Sequence, residues 1–185
     1  MIKTAFDLIK NELEKSTNGN GFKVFIDHLH KLKGQNIPEG IYLSLTSFKR
    51  ETAFGHLSPF KKTPTSIEIK EPPVYLNAYI MVASFYKQYD SSLIHLNTAL
   101  EFFQNRPYLD KYNIHITSVW PPEIERIAFD WHNLEIDKLN QLWGVHGGIY
   151  LPSFLYQVRM LRVLHQEQPK PGPPITEVKY DTSIP

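Results

Sequence analysis

The chain has 185 residues, 20 Lys and Arg against 19 Asp and Glu for a formal charge of +1, and no cysteine. That length supports one domain with a buried core of its own, without covalent or metal staples. The lack of cysteine excludes disulfides and thiolate metal centres, the balanced charge gives no footprint for nucleic acid or an anionic membrane, and no apolar run reaches the ~18 residues of a membrane span.

The first residues, Met1 to Asp7, lack a basic region followed by an apolar block, so no signal peptide is expected and a cytoplasmic origin fits. Ile2, Phe6, Ile9 and Leu13 recur at helical spacing and predict a helix over 2–15. Lys3, Asp7, Lys10, Glu12 and Glu14 are assigned to its solvent face. Ser16 to Gly21 are turn formers that stop it. Phe22, Val24 and Ile26 alternate as a strand over 22–27, although Phe25, Leu29 and Leu32 step like a helix. His28 and His30 would share one strand face, but no third histidine lies nearby in sequence and a metal needs three or four ligands.

Ile41 to Phe48 alternate as a clear strand, with Ile41, Leu43 and Leu45 on one face. Residues 52–65, rich in Pro, Thr and Lys, read as a long irregular connection that holds His56 and the Lys61–Lys62 pair. Residues 66–71 show a short alternation suited to an edge strand or hairpin arm. Val74 to Phe85 form the longest apolar strand, with Asn77 as a buried structural amide that must be hydrogen-bonded.

Leu93, Leu96, Leu100 and Phe103 predict a helix over 91–105, capped by Asp90 or Ser91 and ended by Pro107. Residues 113–120 read as a strand or extended loop, and 124–132 as a strand with Ile127, Phe129 and Trp131 on its apolar face. A short helix follows, with Asn133 as N-cap, Leu134, Leu139, Leu142 and Trp143 as its stripe, and an end near Trp143 or Gly144. Ser153 to Leu164 alternate with apolar residues on both faces, as in an inner strand of a covered sheet. The fold class is therefore α/β (α+β): a mixed, mostly antiparallel sheet flanked by about three helices.

After Leu164 the composition changes, which divides a single domain over 1–165 from an arm over 166–185. Gln166 to Pro174 cannot form helix or central strand and read as a stiff extended linker. Beyond it, Ile175, Thr176, Glu177, Val178, Lys179 and Tyr180 alternate and are the candidate partner-binding residues, suited to strand addition at a sheet edge of a partner or neighbouring subunit.

No catalytic or cofactor motif stands out. There is no Gly-rich phosphate loop, Gly-x-Ser-x-Gly elbow or His-Glu-x-x-His. The eight histidines are scattered, and the Glu123/Glu125 pair lies outside any apolar trap. No catalytic, cofactor-binding or metal residue is assigned, and no cofactor is expected.

Five segments together carry a resemblance: Ile41 to Thr46, Pro73 to Val82, Leu93 to Gln104, Leu139 to Gly144 and Tyr150 to Met160. Leu-Asn-x-Leu-Trp at 139–143 followed by Tyr-Leu-Pro-Ser-x-Leu-Tyr-x-Val-Arg-Met at 150–160 is the specific part. With the N-terminal helix, residues 2–163 resemble the tail-terminator (cap) family of contractile injection systems in its Bacteroidota-type form, itself similar to phage tail terminators. The 52–65 loop and the 169–185 tail lie outside the resemblance, and the larger C-terminal extension of some relatives is not expected here.

The resemblance implies a non-enzymatic assembly protein. It implies a homo-oligomeric ring, usually sixfold, that ends the inner tube away from the baseplate and holds the last sheath ring. The partners are then an inner tube protein and a sheath protein, in a particle assembled in the cytoplasm and either released or membrane-anchored. Edges at 66–71 and 114–119 are the expected ring contacts. The alternative readings are a baseplate or adaptor component of the same machinery, and a small enzyme using His28, His30 or His115.

Overall fold

The computed structural model describes residues 1–17, 22–34, 36–51, 60–62, 67–69, 74–163 and 170–172. In chain order these form α1 (Ile2–Ser16), β1 (Val24–Ile26), a 3-10 turn (Leu29–Lys33), β2 (Gly40–Arg50), β3 (Phe60–Lys62), β4 (Ile67–Ile69) and β5 (Val74–Phe85). They continue with α2 (Tyr89–Asn105), β6 (Tyr108–Leu109), β7 (Ile127–Trp131), α3 (Ile136–Val145), β8 (Ser153–Val163) and β9 (Lys170–Gly172).

Six strands make the main sheet in the order β1-β2-β5-β8-β7-β6. Only β1 and β2 run parallel, and the other pairs are antiparallel. The sheet is covered on both faces, which is why β5 and β8 are apolar at odd and even positions alike. On one face, Ile41 and Leu43, Ile80 and Val82, and Phe154, Tyr156 and Val158 pack with Phe6, Ile9 and Leu13 of α1 and Phe102 and Phe103 of α2. On the other, Tyr42, Met81, Ala83 and Leu155 pack with Leu29 and Leu32 of the 3-10 turn and Trp143 of α3. Cross-strand register agrees, since Ile80 faces Tyr156 and Met81 faces Leu155.

A second sheet of three strands has the order β3-β4-β9. Two sequence expectations change here. The 52–65 connection is not irregular throughout, because Phe60–Lys62 pair with Ile67–Ile69. The Pro-rich linker also supplies a strand, with Lys170–Gly172 paired to Ile69–Ile67. That strand lies at the edge, the sheet position in which a missing N–H is tolerated.

Further corrections are local. Leu45 does not follow Ile41 and Leu43 into the core: pairing with β5 shifts between Leu45 and Ser47, and Leu45 is partly exposed. The N-cap of α2 is Gln88, so Asp90 lies in the first turn, where its charge still suits the helix dipole. The N-cap of α3 is Glu135; Asn133 instead accepts a hydrogen bond from Trp131 Nε1 at 2.6 Å. The helix runs to Val145, one residue past the expected stop, before Gly147 and Gly148 take positive φ of 97° and 74°. Residues 113–120 form turns and extended loop, the second of the two readings the sequence left open. Asn77 is buried as expected, its amide donating to Glu51 Oε2 at 2.9 Å.

Gly40 sets the close approach of β1 to β2. A Cβ there would lie 2.6 Å from Lys23 O and 2.7 Å from Phe25 Cε2. Lys23 O cannot retreat freely, because it accepts the Ile41 N–H at 2.8 Å. Gly40→Ala is therefore expected to destabilise by about 1–3 kcal/mol through overpacking. A urea melt that leaves the midpoint unchanged would refute this.

Candidate assembly surfaces

The described histidines singled out in the sequence fall in separate places in the fold. His28 is the N-cap of the 3-10 turn, and its ring lies 5.4 Å from that of His30. His146, at the C-cap of α3, joins their field: burial, then the charges of His30 and His28, push its pKa below the usual imidazole value. Among the described residues, no group of three or more His, Cys, Asp or Glu is placed to hold a metal ion. His115 lies elsewhere, its Nδ1 3.0 Å from Thr117 Oγ1.

The depressed pKa of His146 has a stability consequence. The unfolded chain binds the proton more readily than the fold does, so stability falls as pH drops below the unfolded value of about 6.5. Melting temperature is expected to fall between pH 7.5 and 5.5. His146→Gln should flatten that fall, and an unchanged slope would contradict the assignment.

Glu12 is the largest departure from the sequence reading. It is 0% exposed, on the face of α1 that meets the core. Arg106 Nη1 donates to its Oε2 at 2.9 Å, and the His115 backbone N–H donates to the same oxygen at 2.8 Å. Ser118 Oγ donates to Oε1, and Lys15 Nζ donates to Ser118 Oγ at 2.9 Å. One buried carboxylate thus fastens the end of α2 and the loop after β6 to α1. The signal was present in the sequence, because Glu12 follows Leu8 by four residues and Ile9 by three.

The fastened loop is internally braced as well. Asp110 Oδ1 accepts from the Tyr112 and Asn113 N–H groups at 2.8 and 3.1 Å, and Asn113 Nδ2 donates to Tyr108 O at 2.8 Å. Yet its tip presents Tyr112, Ile116 and Val119 to solvent at 83%, 95% and 86% exposure. Three large apolar side chains exposed within eight residues make this loop a candidate contact surface.

A cleft of about 840 Å³ lies at the other edge of the sheet, between the N-terminal half of α1 and the β1–β2 pair. Phe6, Phe25, Ile26, Leu43 and Leu45 contribute its apolar lining. Strand β1 pairs β2 only from Ile41 to Leu43, so Ser44 to Arg50 are paired on the β5 side alone among the described residues. Lys3 with Asp7, and Lys31 with Asp27, form ion pairs within the rim. Trp131, Ile136, Val145 and Tyr150 are exposed as single large apolar side chains.

The predicted contact at 66–71 is not an open edge, since β4 is the central strand of the small sheet. The 114–119 segment does lie on the surface, as loop rather than strand. Ile175, Thr176, Glu177, Val178, Lys179 and Tyr180 lie outside the described residues, as does His56. No helix among the described residues is long and apolar enough to cross a membrane.

The fold has solved counterparts. The sheath/tube terminator of PVC, an extracellular contractile injection system, in its extended state aligns with a TM-score of 0.67 at 11% identity, over 100% of this chain and 64% of that one. The tube-terminating cap of the anti-feeding prophage aligns with a TM-score of 0.64 at 11% identity, over 96% of this chain and 60% of that one. The chain thus spans under two thirds of the length of either structure. No curated protein matches it in sequence. Residues 5–177 match the family described as the Pvc16 N-terminal domain, and with nearly its whole length matched the chain belongs to that family.

Proposed function

We propose that this chain is a structural cap of a contractile injection system, a ring that ends the inner tube and anchors the last sheath ring. The observation that carries the reading is the full-length likeness to a sheath/tube terminator, within a family match over 5–177. The surface supports it. Large apolar side chains are exposed on the loop after β6, and an apolar-lined cleft opens beside β1. The protein acts by contact, and its partners are further copies of itself, a tube protein and a sheath protein. It is made in the cytoplasm and built into the particle there.

The arm is the expected sheath or neighbour contact. Its Lys170–Gly172 segment already adds to a sheet edge, and the alternating Ile175 to Tyr180 would do the same on a partner. Truncation after Gly172 keeps β9 and removes that segment. It should leave the folded protein intact and weaken sheath retention.

Labelling the protein in assembled particles tests the main reading. Label at the tube end far from the baseplate, with tubes of uncontrolled length when the protein is absent, is the expected result. Label at the baseplate would overturn it in favour of an adaptor.

A further inference from the structure

We propose that the Tyr112–Val119 loop of one protomer seats in the α1–β1–β2 cleft of the next copy, and that this repeated contact closes the ring. The inference rests on the cap reading and gives it an interface. The two surfaces belong to opposite edges of one sheet: the loop leaves edge strand β6, and the cleft opens beside edge strand β1.

Helix α1 shows the same opposition. At ~100° per residue, the cleft-lining Ile2, Lys3, Phe6, Asp7 and Lys10 centre about half a turn away from Glu12 and Lys15, which hold the loop. Helix α1 therefore stands between the loop fastened to one of its faces and the cleft lined by the other, so the fastened loop cannot fill its own cleft. The contact must therefore be made between molecules.

The chemistry selects the occupant. The rim lysines Lys3 and Lys31 are matched by Asp7 and Asp27, which leaves Lys10 as a single surplus lysine beside a mainly apolar lining, so an apolar segment suits the cleft better than a strongly acidic peptide. Its lining calls for compact apolar side chains, and the loop offers Tyr112, Ile116 and Val119 within eight residues. A protomer that fills its neighbour's cleft leaves its own cleft to be filled. Both apolar surfaces are covered in every copy only when this heterologous contact closes on itself.

The absence of native cysteine makes the test direct. Ile116→Cys and Ile26→Cys are prepared separately in the full chain, oxidised alone and as an equal mixture, and read on a non-reducing gel. Light scattering of the unmodified protein gives its mass across a concentration series. The expected result is a disulfide-linked pair in the mixture and little in either variant alone. The charged variant Ile116→Asp with Val119→Asp should lower the oligomer mass while leaving circular dichroism unchanged.

A closed oligomer without cross-linking in the mixture would overturn the contact and leave the ring standing. Cross-linking of Ile116→Cys with itself would also overturn it, by showing loop against loop. A monomer at every concentration with no cross-link would overturn the contact as a self-sufficient interface; label at the tube end would still uphold the cap reading.

Discussion

Glu12→Ala is expected to destabilise the protein by about 2–4 kcal/mol, below the full range for breaking a buried ion pair because Arg106 keeps 32% exposure and can be resolvated. Arg106 loses its acceptor at 2.9 Å, and the His115 N–H and Ser118 hydroxyl lose theirs. These half-buried donors then lose their acceptor and regain water only in part. The effect is local as well as global. Amide exchange over residues 110–120 should speed up more than exchange in the centre of β5, because the carboxylate is the link between that loop and α1. Glu12→Gln keeps an acceptor oxygen and the volume, so it should recover part of the loss. Glu12→Met combined with Arg106→Met should cost less than the sum of the single changes, since removing both charges leaves no unpaired ion. A loss under about 1 kcal/mol with unchanged exchange at 110–120 would refute the assignment.

The same residue shows where the sequence was readable and where it was not. Strand β2 was legible from its period-two alternation, and β5 and β8 from long apolar runs that suit an inner strand of a covered sheet. Helix α1 was legible from its stripe. Glu12 was misassigned because a carboxylate is usually on the solvent face, and the partners that make burial affordable are 94 and 103 residues away.

Residues 113–120 stayed ambiguous in sequence between strand and extended loop. Ile114, Ile116 and Trp120 look like a strand face, yet Ile116 is almost fully exposed and the backbone is held by Asp110, Asn113 and Glu12. An apolar residue kept for a partner gives the same local pattern as one kept for the core. The cleft was invisible for a related reason. It exists because β1 stops after Ile26 while β2 continues to Arg50, and strand length mismatch is set by tertiary packing. The resemblance to tail terminators did cover the segments that set the architecture, from Ile41 to Met160, because these are the packed elements.

Phe103→Ala is the second large effect, at about 3–5 kcal/mol, or roughly 10 °C in melting temperature for a chain of this size. Phe103 is buried where α2 meets the sheet. Its ring is stacked on Tyr156 at 4.7 Å and edge-on to Phe102, Phe129 and Phe154 at 5.1, 5.0 and 6.0 Å. Truncation therefore removes one side chain and leaves four aromatic partners facing a void. Those partners come from α2, β7 and β8, so the site has little freedom to collapse, and poor collapse puts the cost at the upper end of the range. Phe103→Leu keeps most of the volume and should cost less than half as much. Both variants lie away from the Tyr112–Val119 tip, so the contact surface itself is unchanged. Below the new melting point, oligomer mass should match that of the unmodified protein. A loss near 1 kcal/mol for Phe103→Ala in urea titration would mean that α2 repacks against β7 and β8, and that this aromatic cluster is not the rigid centre of the fold.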